Sequence, residues 1–344
     1  MSAPATTGTD SAHTCISTSS NGRVSRRTKS ESLMSTQGTM DGISSIASEA
    51  EDSITSLDTS VASLKRIVNV TEDVPKLSEA LSSSGKRNPI LLLTMSHAET
   101  VDSVFPDWIL KAFPKDRDEP YHIFDLNIPP NMPDRPQQEY LADPPITEHG
   151  KHVASIVAIE LQSLDLEAPV VYAAPEMKCI ETAAEIVGAW KNGARIRVEP
   201  MLADCRGFHV QNQGGNWLSL DRMVALGYPI DKKYVPVMRR TELSPVAEEP
   251  SQYYERLLSF FQKIGKDDSA KTVLIVAHPT TVFFAEDGSW ATGRHFTRID
   301  RQIGTCEVSG IKIDAGGKVS HRQILKPFTR TLNDARELRK KGIY

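Results

Sequence analysis

Two apolar runs in this chain end in histidine. Pro89-Ile90-Leu91-Leu92-Leu93-Thr94-Met95 leads into Ser96-His97, and Lys271-Thr272-Val273-Leu274-Ile275-Val276-Ala277 leads into His278. Neither run alternates apolar with polar residues, so each predicts a strand buried on both faces, as in a parallel sheet. The pattern between them alternates helix and strand. Val101–Phe113 predicts a helix carrying Phe105, Trp108, Ile109 and Phe113, and the proline-rich stretch Pro129–Pro136 predicts a surface loop. Thr147 is placed to cap a helix over Glu148–Leu164, with Val153, Ile156, Val157 and Leu161 on one face. A strand at Pro169–Ala174, a helix at Met177–Trp190 and a strand at Arg195–Val198 follow. Residues 205–250 show no period, and so long an irregular stretch usually covers or shapes a site. A helix at Tyr253–Ile264 and a closing strand at Thr305–Ile313 complete the pattern. The expectation is an α/β three-layer sandwich, a mostly parallel central sheet with helices on both faces.

Upstream the pattern changes. Residues 1–42 are rich in Ser, Thr and Gly, a composition that cannot bury enough surface to offset ordering entropy, and they read as a disordered tail. Its basic cluster Arg26-Arg27-Thr28-Lys29-Ser30 would suit a basic-directed kinase, or is simply solvated. In residues 43–68, Ile43, Ala47, Ala50, Ile54, Leu57, Val61, Leu64 and Val68 recur at alternating four and three spacing, the seam of an amphipathic or coiled-coil helix. Periodicity leaves open whether that seam meets a protein partner, a second copy, or the chain's own folded domain. Residues 69–87 read as a linker, 88–330 as the folded domain and 331–344 as a C-terminal tail.

Composition narrows the class. A net charge of −4 in 344 residues gives no electrostatic reason for nucleic acid or an anionic membrane surface, and no run is long enough to span a bilayer. The N-terminus shows no compact apolar segment of the secretory type, and Cys15, Cys179, Cys205 and Cys306 are few and scattered without a CxxC pair. A cytoplasmic protein with reduced thiols, no metal and no cofactor is expected.

The chemistry concentrates at strand ends: His97, His278, and Glu199 just past a third strand, with Lys178 at the start of the helix after a fourth. Two imidazoles, a carboxylate and a helix N-terminus suit phosphoryl transfer. One neutral imidazole attacks phosphorus, a carboxyl group protonates the leaving oxygen, and the other groups hold the anionic oxygens. Asp204, beyond the same strand as Glu199, is the alternative donor. Five segments carry a more specific likeness: Met95-Ser96-His97-Ala98-Glu99-Thr100-Val101-Asp102, Asp143-Pro144-Pro145-Ile146-Thr147, Ala174-Pro175-Glu176-Met177-Lys178-Cys179-Ile180-Glu181-Thr182-Ala183, Arg195-Ile196-Arg197-Val198-Glu199-Pro200-Met201-Leu202 and Val276-Ala277-His278-Pro279. In this order they resemble the histidine phosphatase (phosphoglycerate mutase-like) superfamily, and within it the phosphatase-like domain of the ubiquitin-associated and SH3 domain-containing suppressors of T-cell receptor signalling. The resemblance covers about Asn88 to Lys326. It implies a phosphoglycerate mutase-like fold, His97 as the phosphorylated nucleophile, Glu199 as proton donor and His278 as the second pocket histidine.

The departures from that family bear on activity. Where the family signature reads Arg-His-Gly the chain reads Ser96-His97-Ala98, a further arginine is Thr100, and the arginine of the helix-start motif is Lys178. Hydroxyls cannot reproduce the bidentate hydrogen bonds arginine makes to phosphate, and lysine replaces them only in part. Losing one preorganised donor costs about 10²–10³ in rate. Arg206 is the replacement cation the sequence offers. Fewer cations should also leave His97 protonated and non-nucleophilic. Two readings follow: a pseudophosphatase that binds a phosphorylated ligand or a protein partner, or an altered phosphohydrolase working through His97, Glu199 and His278. In the second, Ser96, Thr100, Lys178 and Arg206 form the anion site.

Cys179, Trp108, Trp190 and Trp217 read as packing residues, His149 and His152 as surface residues, and Glu181 as a stabiliser of its helix start.

Overall fold

A computed structural model describes residues 77–82, 88–114, 121–205, 217–243, 248, 250–266, 270–287 and 303–325. In chain order these form α1 (Leu77–Leu81), β1 (Ile90–Ser96), α2 (Val101–Val104), α3 (Trp108–Ala112), α4 (Gln137–Ala142), α5 (Glu148–Ser163), β2 (Val170–Ala173), α6 (Met177–Trp190) and β3 (Ile196–Val198). They continue with α7 (Leu220–Ala225), α8 (Pro250–Gly265), β4 (Thr272–Ala277), α9 (Pro279–Asp287), β5 (Val308–Ile313) and β6 (Val319–Leu325). The tail 1–42, the heptad segment 43–68, Arg206, His209 and the stretch 331–344 lie outside the described residues.

The six strands form one sheet in the order β3-β2-β4-β1-β5-β6. The first four pair in parallel, and β5 and β6 are antiparallel. Strands β1 and β4 are buried at nearly every position, which requires cover on both faces of the sheet. This is the expected α/β architecture. Its register decides where the chemistry goes. Ser96 pairs with Ala277, Ala173 with Val276, and Val198 with Ala173. The carboxyl ends of β1, β2, β3 and β4 are therefore level, and His97, His278, and the turns leading to Lys178 and Asp204 all leave the same sheet edge. Open α/β sheets bind ligands at that edge.

Thr147 caps α5 as expected, its hydroxyl accepting from the Gly150 amide at 2.8 Å. The single helix expected over Val101–Phe113 is two, because Pro106 lacks an N–H and forces Phe105 out of helical geometry (φ −126°, ψ 82°). The hairpin partner β6 and the helices α4, α7 and α9 are additions to the sequence reading.

The expected linker also needs correction: within 69–87 lies α1, whose Leu77 and Leu81 are 0% and 3% exposed. The Leu81 side chain packs against Gly265, where an added Cβ would come within 3.2 Å of it. The folded unit therefore includes Leu77 rather than starting at Asn88. Trp108 and Trp190 are core residues as anticipated, Trp190 donating its indole N–H to the Ala158 carbonyl at 2.9 Å.

Candidate active site

The turn after β1 is pinned from three sides. The His97 amide donates to the Ala277 carbonyl (2.9 Å), at the end of β4. The Ala98 amide donates to the Thr182 hydroxyl (2.9 Å), which itself donates to the Lys178 carbonyl on α6 (2.7 Å). Glu99 fastens the turn to α5, accepting from the Thr147 amide (2.9 Å) through its carbonyl and from the Thr147 hydroxyl (2.7 Å) through its carboxylate. Gly150 makes this approach possible: a Cβ there would stand 2.6 Å from the Glu99 carbonyl oxygen. Within this frame His97 Nδ1 lies 2.9 Å from its neighbour's Ala98 carbonyl. A carbonyl can only accept, so Nδ1 carries the hydrogen and Nε2 keeps its lone pair.

The imidazoles of His97 and His278 meet edge to face with ring centroids 5.7 Å apart. His278 is buried among acidic and thiol groups. Its Nε2 lies 3.2 Å from Glu176 Oε2 and 3.9 Å from Cys179 Sγ, and its Nδ1 lies 3.6 Å from Asp204 Oδ2. Glu176 immediately precedes α6, and its other oxygen accepts from the Asp204 amide at 3.0 Å. Arg256 holds the segment before Asp204, donating to the carbonyls of Met201 (2.6 Å) and Ala203 (3.0 Å) while paired with Glu248.

The electrostatics follow from that placement. Burial, then the charges of Lys178 and His278, hold His97 well below the ordinary imidazole value, so it is neutral at pH 7. This overturns the expectation of a protonated His97: desolvation outweighs the loss of cations on which that expectation rested. For His278 burial acts downward, but Asp204, Cys179 and Glu176 more than offset it and hold it well above the ordinary value. Burial pushes the Glu176 carboxyl upward, and the His278 charge and hydrogen bonding prevail to leave it lowered. Lys178 is raised against its desolvation by Asp204 above all. The pocket thus pairs a cationic His278 and Lys178 with the Glu176 and Asp204 carboxylates, and carries almost no net charge.

The other predicted site residues fall elsewhere. Glu199 is fully buried and its oxygens are occupied: they accept from the Tyr234 hydroxyl (2.6 Å) and from the amides of Met201 (2.9 Å), Val237 (2.7 Å) and Met238 (3.3 Å). It braces the end of β3 against the 234–238 loop, and of the two carboxylates that follow β3 it is Asp204 that lies beside His278. Ser96 is also fully buried, donating to the Gly304 carbonyl and accepting from the Glu307 amide. Its hydroxyl faces the β5 side of the turn. Thr100 is 6% exposed and forms an isolated bridge with Ile146 ahead of α2. Among the described residues of the expected anion-binding set, Ser96, Thr100 and Lys178, it is Lys178 whose charge acts on His97.

A profile of the histidine phosphatase superfamily (branch 1) matches residues 133–324, more than half of the 344-residue chain. The chain belongs to this superfamily. The matched span begins after His97, so the degenerate Ser96-His97-Ala98 turn is outside it. Among curated proteins, the chain is 27% identical over 208 residues to the ecdysteroid-phosphate phosphatase of Drosophila melanogaster, covering 59% of this chain and 27% of that protein. It is 28% identical over 191 residues to the ubiquitin-associated and SH3 domain-containing protein A of Mus musculus, covering 53% of this chain and 30% of that protein. The alignments thus span less than a third of these relatives. Among solved structures, the tungstate complex of the ecdysone phosphate phosphatase of Bombyx mori matches 70% of this chain and 95% of its own, with a TM-score of 0.56 and 18% identity. The fold is the expected one of the histidine phosphatase (phosphoglycerate mutase-like) superfamily.

Glu176 is the pocket residue that sequence reading missed, and Cys179 the one it took for inert packing. The available signal was position. Glu176 lies two residues before Lys178 at the end of a parallel strand, where any side chain faces the ligand edge. Glu181 was also misread: it is buried and accepts from the Ile146 amide (2.8 Å) and the Tyr228 hydroxyl (3.0 Å), tying α6 to two loops rather than steadying its own first turn.

Proposed function

We propose that this chain is a pseudophosphatase, a histidine-phosphatase fold retained as a binding or regulatory domain with little phosphoryl transfer of its own. The observation that carries the reading is the Glu176 carboxylate, 3.2 Å from His278 Nε2. An incoming phosphoryl group needs that imidazolium as a partner, and a resident anion already engages it. Arginine at the three family positions is absent, Ser96 and Thr100 are committed to the fold, and Lys178 also answers to Asp204 and Glu176. With each lost donor costing about 10²–10³ in rate, two such losses remove about 10⁴–10⁶.

A second reading, an altered phosphomonoesterase, draws on one specific observation: His97 is neutral and its Nε2 lone pair is free of the Ala98 contact. In that reading His97 attacks phosphorus, Asp204 in its protonated form gives the leaving oxygen its proton in the role expected of Glu199, and Lys178 with His278 holds the transferred group.

Hydrolysis of a generic aryl phosphate by the full chain, measured beside His97→Ala, separates the two. The pseudophosphatase reading expects indistinguishable rates. Turnover that vanishes in His97→Ala would establish the enzyme and overturn it.

A further inference from the structure

Three atoms of metal-ligating type converge in the pocket and contact one another there. Glu176 Oε2, Cys179 Sγ and His278 Nε2 all lie within 4.8 Å of one another, on residues that are 2%, 0% and 1% exposed. Glu176 Oε2 is a buried carboxylate oxygen turned to the His278 ring, while Oε1 of the same group is satisfied by the Asp204 amide. A divalent ion would take the place of the protons on His278 and Cys179, which are released to solvent as it binds, and would keep the Glu176 charge neutralised. We propose that Glu176, Cys179 and His278 bind one divalent transition-metal ion, zinc foremost.

The donor set argues for zinc. One thiolate, one imidazole and one carboxylate suit a borderline-soft ion and are a poor match for magnesium or calcium, which take oxygen ligands. The spacing fits as well. Tetrahedral zinc with bonds of about 2.0–2.3 Å places its ligand atoms about 3.3–3.8 Å apart. Here Nε2 and Oε2 are separated by 3.2 Å, and Sγ and Nε2 by 3.9 Å. Shifts of a few tenths of an ångström complete those two edges. The outer shell is in place too. Metal-bound histidines typically direct their other ring nitrogen at a carboxylate, and His278 Nδ1, which has no hydrogen-bond partner, lies 3.6 Å from Asp204 Oδ2. Three protein ligands leave a fourth position for a solvent molecule. The inference goes beyond the proposed loss of phosphoryl transfer and does not rest on it.

The test is titration of the reduced full chain with cobalt(II) alone, followed by displacement with zinc. The expected result is one saturable site per chain, with a thiolate-to-cobalt charge-transfer band and the strong visible bands of a four-coordinate ion. Cys179→Ser should abolish the charge-transfer band. Glu176→Gln should weaken binding at least tenfold, and the double variant His149→Ala/His152→Ala should leave both unchanged. If Cys179→Ser does not fold, His278→Gln takes its place, with loss of the visible bands expected. Absence of a saturable site would overturn the proposal. So would a charge-transfer band that survives Cys179→Ser, or unchanged affinity in Glu176→Gln.

Discussion

Replacing Glu176 with glutamine removes one negative charge from the pocket wall while keeping the side-chain volume and an oxygen for the Asp204 amide. If the Glu176 carboxylate occupies the anion's place beside His278, the variant should bind tetrahedral oxyanions more tightly than the parent. The size of the effect follows from the geometry. An anion held by the same imidazole would put a charged oxygen within about 4 Å of the carboxylate, a repulsion of about 4 kcal/mol at an effective dielectric of about 20. The neighbouring charges of Lys178 and His278 offset part of this, leaving roughly 1.4–2.8 kcal/mol, or about 10- to 100-fold in dissociation constant. Titration calorimetry with tungstate and with inorganic phosphate at pH 7 measures it directly, with matching far-ultraviolet dichroism as the control for folding. Unchanged or weaker anion binding in Glu176→Gln would refute the reasoning, since it would mean the carboxylate does not compete for the imidazolium. The same substitution is expected to weaken cobalt binding, so the anion and metal arguments can fail separately.

Other perturbations probe the frame around the pocket. Arg135 and Asp143 form a bridge at 2.9 Å with side chains only 2% and 3% exposed, and Asp143 also accepts from the first amide of α6 at 2.6 Å. Arg135→Ala strands that carboxylate, and chemical denaturation should show a loss of about 3–5 kcal/mol; a loss below 1 kcal/mol would contradict the assignment. Gly150→Ala drives a Cβ into the Glu99 carbonyl and should cost about 1–3 kcal/mol by the same assay. Burial pushes Glu181 from 4.5 up to about 7 in the folded state, so the native protein holds a proton there that the unfolded chain releases. Stability should therefore fall as pH rises from about 4.5 to about 7, by a few kcal/mol in total. Melting curves of Glu181→Gln should lack that decline, and parallel profiles for parent and variant would count against it.

The parts of the fold legible in sequence were those governed by local pattern. Apolar runs without alternation marked β1 and β4 as interior strands, and their shared register then placed His97 and His278 at one edge. Capping chemistry fixed the start of α5. What escaped depended on long-range packing. Glu199 and Asp204 both follow β3, and nothing local says that the loop carrying Tyr234 and Val237 folds over the first while Arg256 aims the second at His278. Motif position alone therefore could not tell which carboxylate stands beside His278. The charge state of His97 was misjudged for a related reason: a list of neighbouring charges omits desolvation, which is its largest influence. Ser96 could not be read as a fold residue without knowing that Gly304 and Glu307, more than 200 positions away, lie beside it.

The short helix α1 has a mechanical consequence. It joins the domain through two leucines lodged against α8 and the neighbouring sheet, and burying each is worth about 1.5–3 kcal/mol. Tension applied to the chain upstream of Leu77 is therefore carried first by this two-residue latch, while the sheet edge that holds the histidines is secured by separate bonds. Such a latch would yield under load before the pocket does, exposing Gly265 and its surroundings while His97 and His278 keep their places.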